Sequence, residues 1–214
     1  MEASLRHLTF VPIRPKMRSM KIGRPLEYDP DEVLDAALQL FWHQGYESTS
    51  LQDLLEGMKL SKSSLYQAFG SKHNLFLHCI RRYCEITMAE MQERLLRSDT
   101  GLQFIIETLS AVVKEVNEVA NPRGCLVTNT ANEFAQSDSQ IALSVADGLE
   151  GYRNLFLQAV KQGQQDGSIR NDLAPELLAN YLVTSMSGLR TMVKAKTDHT
   201  MLSDMIGVIV DTVR

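Results

Sequence analysis

From Asp29 to the C-terminus, apolar residues recur at intervals of three and four, and a polar cap or a glycine stands at nearly every break between the runs. That spacing lines one face of an α-helix, whereas a half-buried strand would alternate residue by residue. No convincing alternating segment interrupts the pattern, so the chain reads as all-α, with about nine helices. The first helix opens at Asp29-Pro30-Asp31-Glu32, where Asp29 can cap free N–H groups and Pro30 suits the first helical position. Val33, Ala36, Ala37, Leu40 and Phe41 then form one buried face, and Gly45 ends it. Thr49 and Gln52 fit a capping box for a second helix with Leu51, Leu54, Leu55 and Met58 inside, loosened at its end by Gly57. Ser61 caps a very short third helix with Leu65 and Phe69 as its inner face, and Gly70 stops it. Ser71 caps the fourth.

The later punctuation is as regular. Helices are expected over about 101–119 and 125–136, then from Ser137-Asp138 to the region of Gly163–Gly167. Asp172 is expected to cap the next helix, and a last one carries Leu202, Met205, Ile206, Ile209 and Val213.

Hydrophobic residues make up 44% and charged residues 22%, enough for a packed core and too apolar for a disordered chain. No run of about 18 apolar residues exists, so no spanning helix and no membrane partner is expected. Three cysteines, Cys79, Cys84 and Cys125, form no C-x-x-C pair and point to a reduced, cytoplasmic setting. The net charge of −4 does not advertise nucleic acid. The sign is uneven, however: residues 1–24 hold Arg6, Arg14, Lys16, Arg18, Lys21 and Arg24 against Glu2 alone. Such an arm can supply phosphate contacts or can be a solvated tail. Met17 and Met20 are alternative starts, which would make residues 1–19 an extension.

The stretch Ser50 to Phe69 spans 20 residues, enough for two short helices and a tight turn, and such a pair packed on a third makes a helix-turn-helix. The third helix is shorter than the ~12 residues at which an isolated helix becomes marginally stable, so Leu65 and Phe69 must hold it in place. Its other face carries Lys62, Ser63, Tyr66 and Gln67. Lys, Ser and Tyr can donate to phosphates, Gln can pair with adenine, and the helix N-terminus is positive. The same geometry also serves three-helix clusters that bind no DNA.

Gly45-Tyr46-Glu47-Ser48-Thr49-Ser50-Leu51, followed by Leu60-Ser61-Lys62-Ser63-Ser64-Leu65-Tyr66-Gln67-Ala68-Phe69-Gly70-Ser71-Lys72-His73-Asn74-Leu75-Phe76, strongly resembles the signature of the TetR family of transcriptional regulators. Gly23-Arg24-Pro25 looks like the arm of many members. The resemblance covers about residues 21–80. It implies a helix-turn-helix head over 21–78, a ligand-binding and dimerisation body over 79–214, and residues 1–20 as a disordered or mis-assigned start. It implies a homodimer bound to double-stranded operator DNA and released by a small effector, with no enzymatic activity and no cofactor. Ser63, Ser64 and Tyr66 fall on recognition-helix positions that touch bases or phosphates in the family, Lys72 on a phosphate-binding lysine, and Gln52 on a position that can reach the DNA. Lys21 and Arg24 would suit an arm in a minor groove. Ala68 departs from a histidine common in the family, and Gln67 lies beside it.

In the body, the last two helices have broad apolar faces, and Ser185, Ser187 and Gly188 would permit close helix approach across a two-fold axis or within the chain. Met88, Phe104, Phe134, Tyr152, Phe156, Tyr181 and Met186 are candidate liners of an effector pocket, and equally what any core requires. Their mixture of Met and aromatic side chains would suit a small, partly apolar molecule. Cys125, after Pro122-Arg123-Gly124, would sit at a helix start where the dipole and Arg123 could activate its thiol; Gly-Cys-Leu here also resembles members that answer electrophiles. The alternative is a small buried residue. The histidines His7, His43, His73, His78 and His199 form no ligand-spaced cluster, and no Gly-x-Ser-x-Gly or Gly-x-x-x-x-Gly-Lys motif is present. The rival reading is a helical metal- or ligand-binding protein without DNA function.

Overall fold

The computed structural model describes residues 28–118, 121–134 and 137–214, with backbone alone over 115–118. Among the described residues there are nine helices and no strand. They are α1 (Pro30–Gln44), α2 (Leu51–Met58), α3 (Lys62–Phe69), α4 (Lys72–Arg97), α5 (Gly101–Glu118), α6 (Leu126–Phe134), α7 (Ser139–Asp166), α8 (Pro175–Lys194) and α9 (His199–Val213).

The local signals explain the starts. Asp29, Ser50, Ser61, Ser71, Asp138 and Asp198 each cap the helix that follows through a side-chain oxygen. Three expectations need correction. The cap of α2 is Ser50, in a reciprocal box with Asp53, because the Thr49 hydroxyl is buried and donates to the Gly45 carbonyl at 2.6 Å. Asp172 does not cap α8; it pairs with the Arg170 guanidinium at 2.6 Å, and α8 starts after Ala174 without a side-chain cap. Gly57 lies inside α2 rather than loosening its end: a Cβ there would come within 2.6 Å of Leu40 Cδ1, so the missing side chain lets α2 pack closely on α1.

The chain forms a small head and a larger body joined by α4. In the head, α1 packs on α2 and α4, and α3 rests on α4. In the body, α7 is the central helix, packed against α4, α5, α6 and α8, while α9 lies on α5 and α8. Phe41 and Phe76 anchor the head core, and Phe104 and Phe156 the body core; all four are essentially fully buried.

Candidate nucleic-acid interface and body cavity

The turn between α2 and α3 is compact because Lys59 takes a left-handed conformation (φ 53°). Its N–H donates to Glu56 O at 3.2 Å and that of Leu60 to Leu55 O at 3.0 Å, closing α2. Ser61 then starts α3 by accepting from the Ser64 N–H at 3.1 Å. Leu54 and Leu65 are fully buried and tie the two short helices into one unit. Gly70, at φ 76°, ends α3 before α4 begins.

With Leu65 turned inward, Lys62, Ser63, Tyr66, Gln67 and Ala68 are exposed and Ser64 is half-buried. Ser61, Ser63 and Ser64 hydroxyls cluster at the positive end of α3, with Oγ separations of 2.8 and 2.9 Å from Ser61. Tyr66 is 44% exposed, although it is one of the larger apolar side chains of the head. Lys72 stands at the first position of α4, its Nζ 4.2 Å from the Tyr46 ring centroid. The ring orients the ammonium without neutralising it. Gln52 is exposed on α2 and donates from Nε2 to Glu56 Oε1 at 2.9 Å, which leaves its own carbonyl oxygen and second N–H for another partner. The structure thus brings Gln52, Lys62, Ser63, Ser64, Tyr66, Gln67 and Lys72 onto α2, α3 and the first residue of α4. Lys21 and Arg24 lie outside the described residues.

The head is fastened to the body along a seam. Trp42 Nε1 donates to Gly124 O at 3.1 Å, and the Arg123 guanidinium lies 3.9 Å above the Trp42 ring while donating to Gln39 Oε1 at 2.6 Å. Tyr46 packs edge-on against Phe134 with centroids 5.2 Å apart, and the Glu47 N–H donates to Glu133 Oε1 at 3.2 Å. His73 Nε2 lies 2.7 Å from Asp138 Oδ2, joining the start of α4 to the start of α7. The Asp138 carboxyl is held below the usual carboxylate range, chiefly by the Ile141 N–H it caps and also by His73. A groove of about 390 Å³ follows this seam, lined by Trp42, Tyr46, Phe76, Thr130 and Glu133 among others.

A second cavity, of about 160 Å³, lies inside the body between α4, α5, α7 and α8. Of the seven candidate liners and Cys125, also a pocket candidate, Tyr152 and Met186 border it. Phe104 and Phe156 meet edge-on in the core, Phe134 belongs to the seam, Met88 packs where Gly151 leaves room, and Tyr181 is half-buried on α8. Cys125 is buried just before α6, its thiol beside the Tyr83 side chain, and Arg123 is engaged by Trp42 and Gln39. Burial pushes the Cys84 thiol up to about 12, and Cys79 also upward, so neither is a ready thiolate. The remaining walls of the cavity are Thr87, Glu90, Met91, Arg94, Thr108, Ala111 and Arg190, which sequence reasoning missed. They come from helices far apart in the chain, and no local spacing marks them. Among the described residues no group of three or more His, Cys, Asp or Glu could hold a metal.

Comparison with known proteins places this architecture. A model of bacterial regulatory proteins of the tetR family matches residues 33–79, and one of the tetracyclin repressor-like C-terminal domain matches residues 87–208. The chain belongs to the TetR family. As a TetR-family protein it is a DNA-binding transcriptional regulator and not an enzyme. It is 29% identical to the HTH-type transcriptional regulator YezE of Bacillus subtilis, over 87% of this chain and 97% of that one. It is 27% identical to the HTH-type transcriptional repressor ComR of Escherichia coli, over 78% of this chain and 80% of that one. Among solved structures it resembles a cysteine mutant of the TetR family regulator CifR complexed with 26-base-pair double-strand operator DNA. That likeness has a TM-score of 0.78 at 27% identity, over 90% of this chain and all of the other. The N-terminal match thus takes in most of α1, the α2–turn–α3 unit and the first turns of α4, and the body cavity falls within the C-terminal match. No helix among the described residues is long and apolar enough to cross a membrane.

Proposed function

We propose that this TetR-family regulator is a cytoplasmic homodimeric repressor, released from a near-palindromic operator when a small effector enters the cavity between α4, α5, α7 and α8. The observation that carries the DNA half is the division of α3: Leu65 is fully buried while Lys62, Ser63, Tyr66 and Gln67 face outward. In this reading α3 enters a major groove, Ser63, Ser64, Tyr66 and Gln67 meet bases or phosphates, and Lys62, Lys72 and Gln52 hold the backbone. Lys21 and Arg24 extend the contact from an N-terminal arm. The repressor name of ComR and the operator complex of CifR support the direction of control.

The division of labour runs between a head over 21–78 and a body over 79–214, with the boundary inside the continuous helix α4. Dimerisation is assigned to α8 and α9, where Leu177, Met192, Met201, Met205 and Val208 are exposed. Gly188 supports this: a Cβ there would meet nothing among the described residues, so its smallness serves no contact with them. A two-fold axis sets the two α3 helices about 34–36 Å or a multiple apart. An effector shifts the equilibrium only by binding better to dimers with the wrong head spacing. The seam formed by Trp42, Gly124, Glu47 and Glu133 is the route by which the body would move the head.

Sequencing of genomic fragments retained by the pure protein tests the proposal. Enrichment of a near-palindromic site is expected, and retention of random sequence would overturn it. Light scattering at micromolar concentration should give twice the mass of the 24.1 kDa chain.

A further inference from the structure

Among the described residues, glycine fills most of the backbone positions with positive φ: Gly45, Gly70, Gly124 and Gly167. The others are lysines, Lys59 at φ 53° and Lys196 at φ 57°. A Cβ in the left-handed region crowds the neighbouring carbonyl, so glycine sits there without penalty and lysine does not. A residue held in such a conformation points to a use for its side chain.

Lys196 has that use within the chain. It lies just beyond α8, and its Nζ donates to Asn121 Oδ1 at 3.0 Å, tying this end of α8 to the loop before α6. Lys59 has no such partner. Its backbone closes α2, its N–H donating to Glu56 O, and glycine would do that with less strain. Its side chain is exposed, and among the described residues no polar group or ring meets its ammonium.

The place of Lys59 in the fold names what that ammonium can serve. It precedes Ser61, the cap of α3, by two residues and Lys62 by three. It therefore stands at the N-terminal end of α3, beside the hydroxyls of Ser61, Ser63 and Ser64 and the positive end of the helix. No carboxylate is carried by α3 itself. In a helix-turn-helix the N-terminal residues of the second helix are the ones presented to the duplex. A lysine there is a point charge on a flexible four-carbon stem, suited to a phosphate oxygen rather than to a base edge.

We propose that Lys59 is a further DNA-contacting residue: from the turn before α3 its ammonium pairs with a backbone phosphate, and the left-handed lysine is kept for that contact. This rests on the reading above in which α3 enters a major groove. It adds a phosphate contact to those of Lys62, Lys72 and Gln52.

The test pairs thermal unfolding of the full chain with fluorescence anisotropy on a genomic fragment that the wild type retains, over a salt series. Lys59→Gly relaxes the backbone and should raise Tm by about 2–4 °C. The same variant should bind roughly fivefold or more weakly at low salt, with the salt slope lowered by about one. Lys59→Asn tolerates the left-handed region, so it should melt within about two degrees of wild type and bind as weakly as the glycine variant. Lys59→Arg keeps the charge and should bind like wild type. Stability and affinity moving in opposite directions in Lys59→Gly is the decisive result, because a lysine that served the fold alone would not separate them. Wild-type affinity and salt slope in both Lys59→Gly and Lys59→Asn would overturn the contact while leaving the α3 reading intact. A fall in Tm alongside the fall in affinity in Lys59→Gly would overturn it too. A wild-type chain that retains no fragment would overturn the α3 reading and this contact with it.

Discussion

The head and the body of this molecule are stabilised in different ways. In the head, the short helices α2 and α3 stand because Ser50 and Ser61 cap their starts and because the buried Leu54 and Leu65 hold them down. In the body, helices of up to 28 residues stand by mutual packing, and α8 has no side-chain cap at all. Local chemistry therefore dictates the surface proposed to read DNA, whereas tertiary packing dictates the cavity proposed to sense an effector.

The largest effect should come from removing the head's anchor. Leu65→Ala empties a fully buried position under a helix of eight residues and should cost about 2–5 kcal/mol. Urea unfolding should show the loss, and α3 should melt with it. A cost under about 1 kcal/mol would mean α3 is held by something other than its inner leucine.

The seam comes next. Trp42→Phe keeps an aromatic ring beneath Arg123 and deletes the bond to Gly124 O, a loss of about 0.5–1.5 kcal/mol. Hydrogen exchange should reveal earlier opening of α1 than of α7. If α1 opens no earlier in the variant than in the wild type, the seam is not what couples head to body. The caps give the smallest change and the sharpest contrast. Ser61→Ala should destabilise by about 1 kcal/mol, and Ala174→Asp should stabilise by about 0.5–1 kcal/mol by supplying the cap α8 lacks. Thermal melts of the two variants moving in the same direction would remove the distinction.

The same contrast explains what was legible in the sequence. All nine helices could be placed from periodicity and punctuation, because caps, glycines and apolar spacing act within a few residues. The errors were local competitions: Thr49 spent its hydroxyl on Gly45, and Asp172 chose Arg170 over a helix start. The outward face of α3 was readable because Leu65 alone fixes its orientation, and the family resemblance gave that face its meaning. The cavity was not readable. Tyr152 and Met186 were reached by looking for large apolar residues, but Arg94, Thr108 and Arg190 meet only after four helices have packed. An arginine on an amphipathic helix looks in sequence like solvated surface, and nothing local says otherwise.

The central claim is that α3 reads DNA with side chains that do not hold the fold together. Fluorescence anisotropy of a retained operator fragment, run over a salt series with wild type, Tyr66→Ala and Lys72→Ala, tests it most directly. Both variants should melt within about 0.5 kcal/mol of wild type. Tyr66→Ala should lose about tenfold or more in affinity, on the scale of ~1–3 kcal/mol for a lost contact, and Lys72→Ala should weaken binding while lowering the salt slope by about one. Wild-type affinity and salt dependence in both variants would contradict the account.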